Sequence, residues 1–267
     1  MPKTNIVQPF DNFVQISVII PTYNERENIQ VLVTELLALS PDLSVIVVDD
    51  NSPDGTGKFL QDWMEAEVRL HVIPRSSKMG YASAIKSGMQ YALTQGKDII
   101  VQMDADLSHQ SKYLPDMLES LATCDMVIGS RYVPGGGTQN CKWFRRLLSR
   151  SANQFARLVL KLPPRDCTNG YRCYRRELIE RLVFDRITTE GYSFLIQLAY
   201  IFHYNNYHIT EVPICFIDRQ FGKSKISSNI VFESLFLVLR LSWSTFAQPL
   251  LKPRGVTMAE DYLKSQD

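Results

Sequence analysis

Cysteine is scarce and unpatterned in this chain. The 267 residues hold five (Cys124, Cys141, Cys167, Cys173 and Cys215), an odd number with no CxxC. That predicts neither a disulfide framework nor a zinc site, and a reducing cytoplasm fits best. Histidine is scarcer, with four. His109 alone falls near other chemistry-bearing residues, so no Ser–His–Asp or Cys–His centre is expected and all four read as structural or surface residues. No GxGxxG or GxxxxGK(S/T) stands at a strand-to-helix junction, which speaks against dinucleotide-binding and P-loop proteins. No uninterrupted apolar run reaches the roughly 18–20 residues that span a bilayer. Met1 to Gln15 carries no basic start followed by a long apolar run, so no signal peptide is expected. An excess of one charge is also missing. Lys and Arg number 29 against 28 acids, a net +1, which excludes a nucleic-acid partner held by bulk charge.

What is present is ordinary globular material, 45% hydrophobic and 21% charged. At about 100–200 residues per domain, the length fits one large domain, or one with a small appendage. Charge is spread unevenly. From Lys142 to Arg181 there are eleven Lys/Arg against Asp166, Glu177 and Glu180, a local +8 that leaves −7 elsewhere. Such a zone predicts an anionic partner in one place.

The first 130 residues alternate strand and helix patterns. Apolar runs at Ile16–Ile20, Val45–Val48, Leu70–Ile73, Ile99–Met103 and Met126–Ile128 read as strands. Helical periodicity covers Arg26–Leu39, Lys58–Glu67 and Tyr81–Thr94. This alternation predicts an α/β fold with a mainly parallel central sheet and helices on both faces. Ligands of such sheets bind beyond the carboxyl ends of the strands. Tyr23, Glu25, Asp49, Asp50, Asp104, Asp106 and Arg131 all follow or close strands and should share that rim. Further on, Gly135-Gly136-Gly137 reads as a flexible loop, Trp143–Leu162 and Glu190–Tyr204 as helices, and Ile209–Phe216 as one strand.

Asp104-Ala105-Asp106 is the sharpest local feature. Two carboxylates one residue apart at a strand end can share a hard divalent cation, Mg²⁺ or Mn²⁺, that stays open to phosphate oxygens; the alternative is a turn whose aspartates cap the next helix. Of Asp49 and Asp50, one can cap the turn Ser52–Gly55 while the other accepts hydrogen bonds from a ribose or base; alternatively both serve the turn. Tyr23 can stack on a base and Glu25 can accept from it; alternatively Asn24 caps the helix and Glu25 faces its dipole. Arg219, Lys223 and Lys225 form a basic loop with Gly222, either solvated or closing over a pyrophosphate. Two stretches are amphipathic. Trp143–Leu162 has a basic face, and Ser228–Gln248 has a single polar stripe with Glu233 and Arg240. Both suit an anionic membrane surface or packing against the sheet.

In order and spacing, several segments together resemble a known family. They are Val18-Ile19-Ile20-Pro21-Thr22-Tyr23-Asn24-Glu25, Val47-Val48-Asp49-Asp50-Asn51-Ser52-Pro53-Asp54-Gly55, Met103-Asp104-Ala105-Asp106-Leu107-Ser108-His109, Gly129-Ser130-Arg131-Tyr132 and Val212-Pro213-Ile214-Cys215-Phe216-Ile217-Asp218-Arg219 with Gly222, Ser224 and Lys225. The family is the dolichol-phosphate mannose synthase group of family-2 glycosyltransferases, matched over roughly residues 16–247. The resemblance implies a GT-A fold and inverting transfer of a sugar, mannose from GDP-mannose foremost, to a dolichyl or polyprenyl phosphate. It places Pro21, Tyr23, Glu25, Val48, Asp50 and Ala105 around the nucleotide. Asp104 and Asp106 would hold Mg²⁺ or Mn²⁺. Asp106, Arg131, Arg219 and Lys225 would carry catalysis, the last three on phosphates. Residues 1–15 become an N-terminal extension, 16–225 the catalytic domain, 226–251 an amphipathic interfacial helix and 252–267 a tail. The enzyme would sit peripherally on the cytoplasmic face of a membrane, with room for a membrane-anchored protein partner.

Asp166, Thr168, Arg172 and Tyr174 match a family segment without an assigned role. Two stretches depart from the pattern. Leu195 and Gln197 stand where many relatives carry Gln and Glu, which removes a carboxylate expected near sugar or acceptor. Tyr81-Ala82 follows Gly80 where Leu-Gly is usual. The other readings are the same reaction with UDP-glucose, and a non-catalytic membrane-associated protein that binds a nucleotide sugar.

Overall fold

The computed structural model describes residues 14–218, 236–242 and 251. Its centre is a seven-stranded sheet in the order β3-β2-β1-β4-β7-β5-β8. β1 (Ile16–Thr22), β2 (Leu43–Asp49), β3 (Leu70–Pro74) and β4 (Ile99–Gln102) pair parallel, as do β5 (Met126–Ser130) and β8 (Ile209–Pro213). β7 (Arg172–Arg175) runs antiparallel between β4 and β5. β6 (Gly137–Gln139) and β9 (Cys215–Ile217) form a separate parallel pair.

Alternation along each strand sorts the core into two layers. Val18, Ile20, Val45 and Val47 point one way, to α1 (Arg26–Leu37), α2 (Thr56–Met64) and α4 (Leu114–Leu121). Ile19, Ile46 and Val48 point the other way, to α3 (Tyr81–Thr94), α6 (Arg176–Glu180) and α7 (Gly191–Tyr204). Strands buried on both faces read as continuous apolar runs, as parallel strands do. α5 (Trp143–Val159) lies outside these layers. Ala156 and Leu160, from the end of α5 and just past it, meet Ile196, Ala199 and Tyr200 of α7 and Leu237, Val238 and Leu241 of the helical residues 236–242.

The structure adds one strand and corrects two expectations. β7 was not foreseen: it has four residues, bounded by Arg172 and Arg175, and no clear period. The predicted strand Ile209–Phe216 breaks at Ile214. Pairing with β5 ends at Ser130↔Pro213, and the chain then crosses to β6. The +8 zone is not a single surface. Arg172 is fully buried. Arg175 donates to the carbonyls of Leu121, Ala122 and Cys124, and Arg176 to those of Leu93 and Lys97, so both tie down helix C-terminal ends. The exposed remainder (Lys142, Arg146, Arg150, Arg157, Lys161 and Arg165) lies along α5 and the residues after it. The stretch 226–251 falls largely outside the described residues. Among those described, no helix is long and apolar enough to cross a membrane.

Candidate active site

The order of the sheet fixes where a ligand fits. β1, β2 and β3 step one way and β4 onward the other, so the connections diverge between β1 and β4, which pair parallel. A crevice opens at such a switch point beyond the strand ends. The loop after β1 carries Tyr23 and Glu25, and the loop after β4 carries Asp104 and Asp106.

The rim loops brace each other. Asn24 N–H donates to Ser52 Oγ, Glu25 N–H to Thr56 Oγ1 and Arg26 N–H to Asp54 Oδ2. The first turn of α1 is therefore capped from the loop after β2. Asn24 does not cap it; it takes a left-handed φ of 60°, a conformation asparagine tolerates well. Glu25 instead occupies the cap position and its Oε2 accepts from Asn28 Nδ2. Tyr23 is half-buried with Lys78 Nζ 4.0 Å from its ring centroid, and Pro21 closes the end of β1 beside it.

Asp49 is the turn residue, accepting from Ser52 N–H, Ser52 Oγ and Thr22 Oγ1. Asp50 is also engaged. Arg75 Nη1 lies 2.7 Å from its Oδ1, and the N–H groups of Met79 and Gly80 donate to its Oδ2. Expected to face a nucleotide, it shapes the loop leading into α3. Val48 corrects the expected nucleotide wall more sharply: its side chain is fully buried in the core, so only its backbone lies at the strand end. Ala105 is likewise nearly buried.

Asp104 and Asp106 are held by different means. Asp106 Oδ1 accepts from Ser108 N–H in a tight turn, with Leu107 at a φ of 60°. For a leucine that backbone costs about 1–2 kcal/mol, and the turn that holds it also fixes the Asp106 carboxylate. Asp104 N–H donates to His109 Nδ1, and His109 Nε2 lies 2.7 Å from Asn169 Oδ1. With Nδ1 accepting, the ring is neutral with its proton on Nε2. His109 is therefore a structural pivot, buried and stacked on Tyr171. Tyr81 Oη donates to Asp104 Oδ1 at 3.1 Å, and burial foremost, with the Asp104 charge, pushes its phenol well up.

The chemistry of this donor set suits an oxygen-seeking divalent ion. Among the described residues no group of three or more His, Cys, Asp or Glu forms a closed cage. Two carboxylates with no third His, Cys, Asp or Glu grouped with them among the described residues would suit Mg²⁺ or Mn²⁺, which keep water and substrate phosphate in the remaining positions. Beside Asp106 lies a cleft of about 400 Å³ with Asn28, Glu35, His109, Lys112 and Asp218 on its walls.

Arg131 enters the site from β5 as half of a buried pair. Its Nε and Nη2 sit 2.7 Å from Asp166 Oδ2 and Oδ1, its own N–H donates to Oδ2, and Nη2 also donates to Thr168 Oγ1. Burial alone would lower its pKa, but the Asp166 carboxylate reverses that and fixes the charge. Among the described residues, the side-chain hydrogen bonds of Arg131 run from Nε and Nη2, and none from Nη1. Asp166, Asn169 and Arg75 are supporting residues that the motifs did not assign. For Asp166 the available signal was its place in a segment that matches the family without an assigned role. Arg219 and Lys225 lie outside the described residues. Leu195 and Gln197, expected to bear on sugar or acceptor, are both buried. Leu195 packs in the core, and Gln197 Oε1 accepts from Thr189 Oγ1. Burial pushes the Cys124, Cys167 and Cys173 thiols up, Cys167 to about 12, so none is an available nucleophile.

Residues 17–183 match the model of glycosyl transferase family 2. The chain belongs to that family. This glycosyltransferase is 42% identical over 223 residues to a polyprenol monophosphomannose synthase of Mycolicibacterium smegmatis, covering 83% of this chain and 84% of that one. It is 39% identical to an undecaprenyl-phosphate mannosyltransferase of Micrococcus luteus, over 85% and 93% of the two chains. Its GT-A fold is shared with glucosyl-3-phosphoglycerate synthase of Mycobacterium tuberculosis, crystallised with Mn²⁺, UDP-glucose and phosphoglyceric acid. There the TM-score is 0.63 at 19% identity, covering 86% and 80% of the chains.

Proposed function

We propose that this glycosyltransferase moves mannose from GDP-mannose onto a polyprenyl phosphate with inversion at the anomeric carbon, using Mg²⁺ or Mn²⁺. The carrying observation is the pair Asp104 and Asp106 at the switch point of a chain 42% identical to a polyprenol monophosphomannose synthase. Tyr23 and Glu25 would receive the base, with Pro21, Ala105 and the Val48 backbone behind it. Asp104 and Asp106 would hold the cation; when bound, it offsets charge on the departing nucleoside diphosphate. Arg131 would meet a phosphate through Nη1, and Arg219 and Lys225 would add further positive charge. Their work is orientation and electrostatic stabilisation.

No general base is needed. A phosphate monoester has a second pKa of about 6 and is anionic at neutral pH. It attacks the anomeric carbon through an oxygen as the bond to the diphosphate breaks on the opposite face. That agrees with a His109 whose two nitrogens are already engaged. A non-catalytic role loses its support, since Leu195 and Gln197 are turned into the interior.

α5 would bring the lipid end to the enzyme. Trp143, Phe144, Leu147 and Leu148 are 72, 50, 58 and 52% exposed, next to the exposed Arg146 and Arg150. Aromatic and leucine side chains beside arginines suit the cytoplasmic surface of an anionic membrane. Asp106→Ala tests the centre. It should abolish turnover and cation-dependent donor binding while far-UV circular dichroism stays unchanged. Retained turnover with normal cation binding would refute the assignment.

A further inference from the structure

We propose that Tyr81 is a positioning residue for Asp104, fixing its carboxylate for the cation through a buried relay that runs back through Gln102 to Tyr174. Tyr174 Oη donates to Gln102 Oε1 at 3.0 Å, Gln102 Nε2 donates to Tyr81 Oη at 2.8 Å, and Tyr81 Oη donates to Asp104 Oδ1 at 3.1 Å. Each direction follows from the one before it. Tyr174 occupies the amide oxygen, so the amide nitrogen turns to Tyr81. Tyr81 then accepts from Gln102 and has one proton left, and an ionised carboxylate can only accept it.

The relay is enclosed. Gln102 and Tyr174 are fully buried in neighbouring strands, and the Arg172 guanidinium lies beside Tyr174. Gly170 seals the far side. A Cβ there would stand 2.5 Å from Tyr81 Oη and 3.2 Å from Asp104 Oδ1, so the close approach requires glycine. A carboxylate held on one oxygen by a rigid donor keeps a single orientation toward a metal, and removing such outer partners commonly costs about 10–100-fold in affinity or activity.

The inference rests on the cation site proposed above, and the test separates the two. Mn²⁺ binding to the purified full chain, with GDP present, is titrated by the electron paramagnetic resonance signal of free Mn²⁺. Four proteins are compared with wild type: Asp104→Ala, Tyr81→Phe, Gln102→Leu and the double variant of the last two. Asp104→Ala should lose binding. Tyr81→Phe keeps the ring and should raise the Mn²⁺ Kd about tenfold. Gln102→Leu should raise it less, and the double variant should match Tyr81→Phe, because Gln102 acts through Tyr81. An unchanged Kd in Tyr81→Phe, with only a lowered Tm, would reduce Tyr81 to a packing role and overturn the proposal. Additive effects in the double variant would overturn the relay. Unchanged binding in Asp104→Ala would overturn the cation site, and this proposal with it.

Discussion

Replacing Asp166 by alanine is the perturbation whose cost the structure defines best. Its side chain is fully buried and that of Arg131 is 11% exposed. Two guanidinium donors and a backbone N–H converge on the carboxylate. Removing it strands a guanidinium out of water, and breaking a buried pair this way costs about 3–5 kcal/mol. For a chain of this size each kcal/mol shifts Tm by roughly 2–4 °C, so a fall on the order of 10 °C is expected. Urea unfolding followed by circular dichroism at pH 7 measures it. The double variant Arg131→Met/Asp166→Leu should recover much of the loss, because exchanging both charges for apolar groups is often neutral. Recovery stays incomplete: the Arg131 N–H loses its acceptor, at about 1–3 kcal/mol. The double variant should fold and yet fail to turn over. A cost below about 1 kcal/mol for Asp166→Ala, or a double variant no more stable than the single one, would refute the reasoning.

Asp54 accepts from Thr56 and from Arg26 N–H at the start of α1. Burial alone would raise its pKa, but these bonds together hold it below the usual carboxylate value. A depressed folded pKa gives stability that is present above the unfolded value near 3.8 and lost as pH falls through the folded one. Asp54→Ala should therefore cost about 1 kcal/mol at neutral pH, as a lost cap does, with the gap to wild type closing below pH 4 in unfolding measurements. On α5, Arg145 is paired with Asp218 while Arg146 and Arg150 are exposed. Removing the latter two should weaken binding to anionic liposomes by roughly thirtyfold, at about 1 kcal/mol per charge. The difference should shrink in high salt; flotation assays would show it.

The sheet was legible where burial on both faces left apolar runs, as in Val45–Val48, and α3 has the predicted bounds Tyr81–Thr94. The carboxylates at strand ends were legible because parallel topology sends every such residue to one rim. β7 was not, since a short strand bounded by arginines carries no period. α4 carries the helical spacing Leu114, Met117, Leu118 and Leu121, but over only eight residues, which is short for a periodic signal. The arginine-rich stretch misled in part because sequence cannot tell an arginine that caps a helix from one that faces solvent. Arg175 and Arg176 do the first, and Arg146 and Arg150 the second. Val48 misled for a related reason. A motif position marks the backbone's place at the rim, while the pleat turns the side chain into the core. Asp166 and the partners of Asp104 depend on pairings across the sheet, which sequence spacing does not encode.

The most direct measurement is transfer of labelled sugar into a lipid-extractable product. The purified chain is mixed with a polyprenyl phosphate, Mn²⁺ or Mg²⁺, and GDP-mannose or UDP-glucose, with EDTA as control. The account predicts an EDTA-sensitive mannosyl lipid from GDP-mannose and little product from UDP-glucose. Product that survives EDTA, or saturable donor binding with no transfer from GDP-mannose, would contradict it.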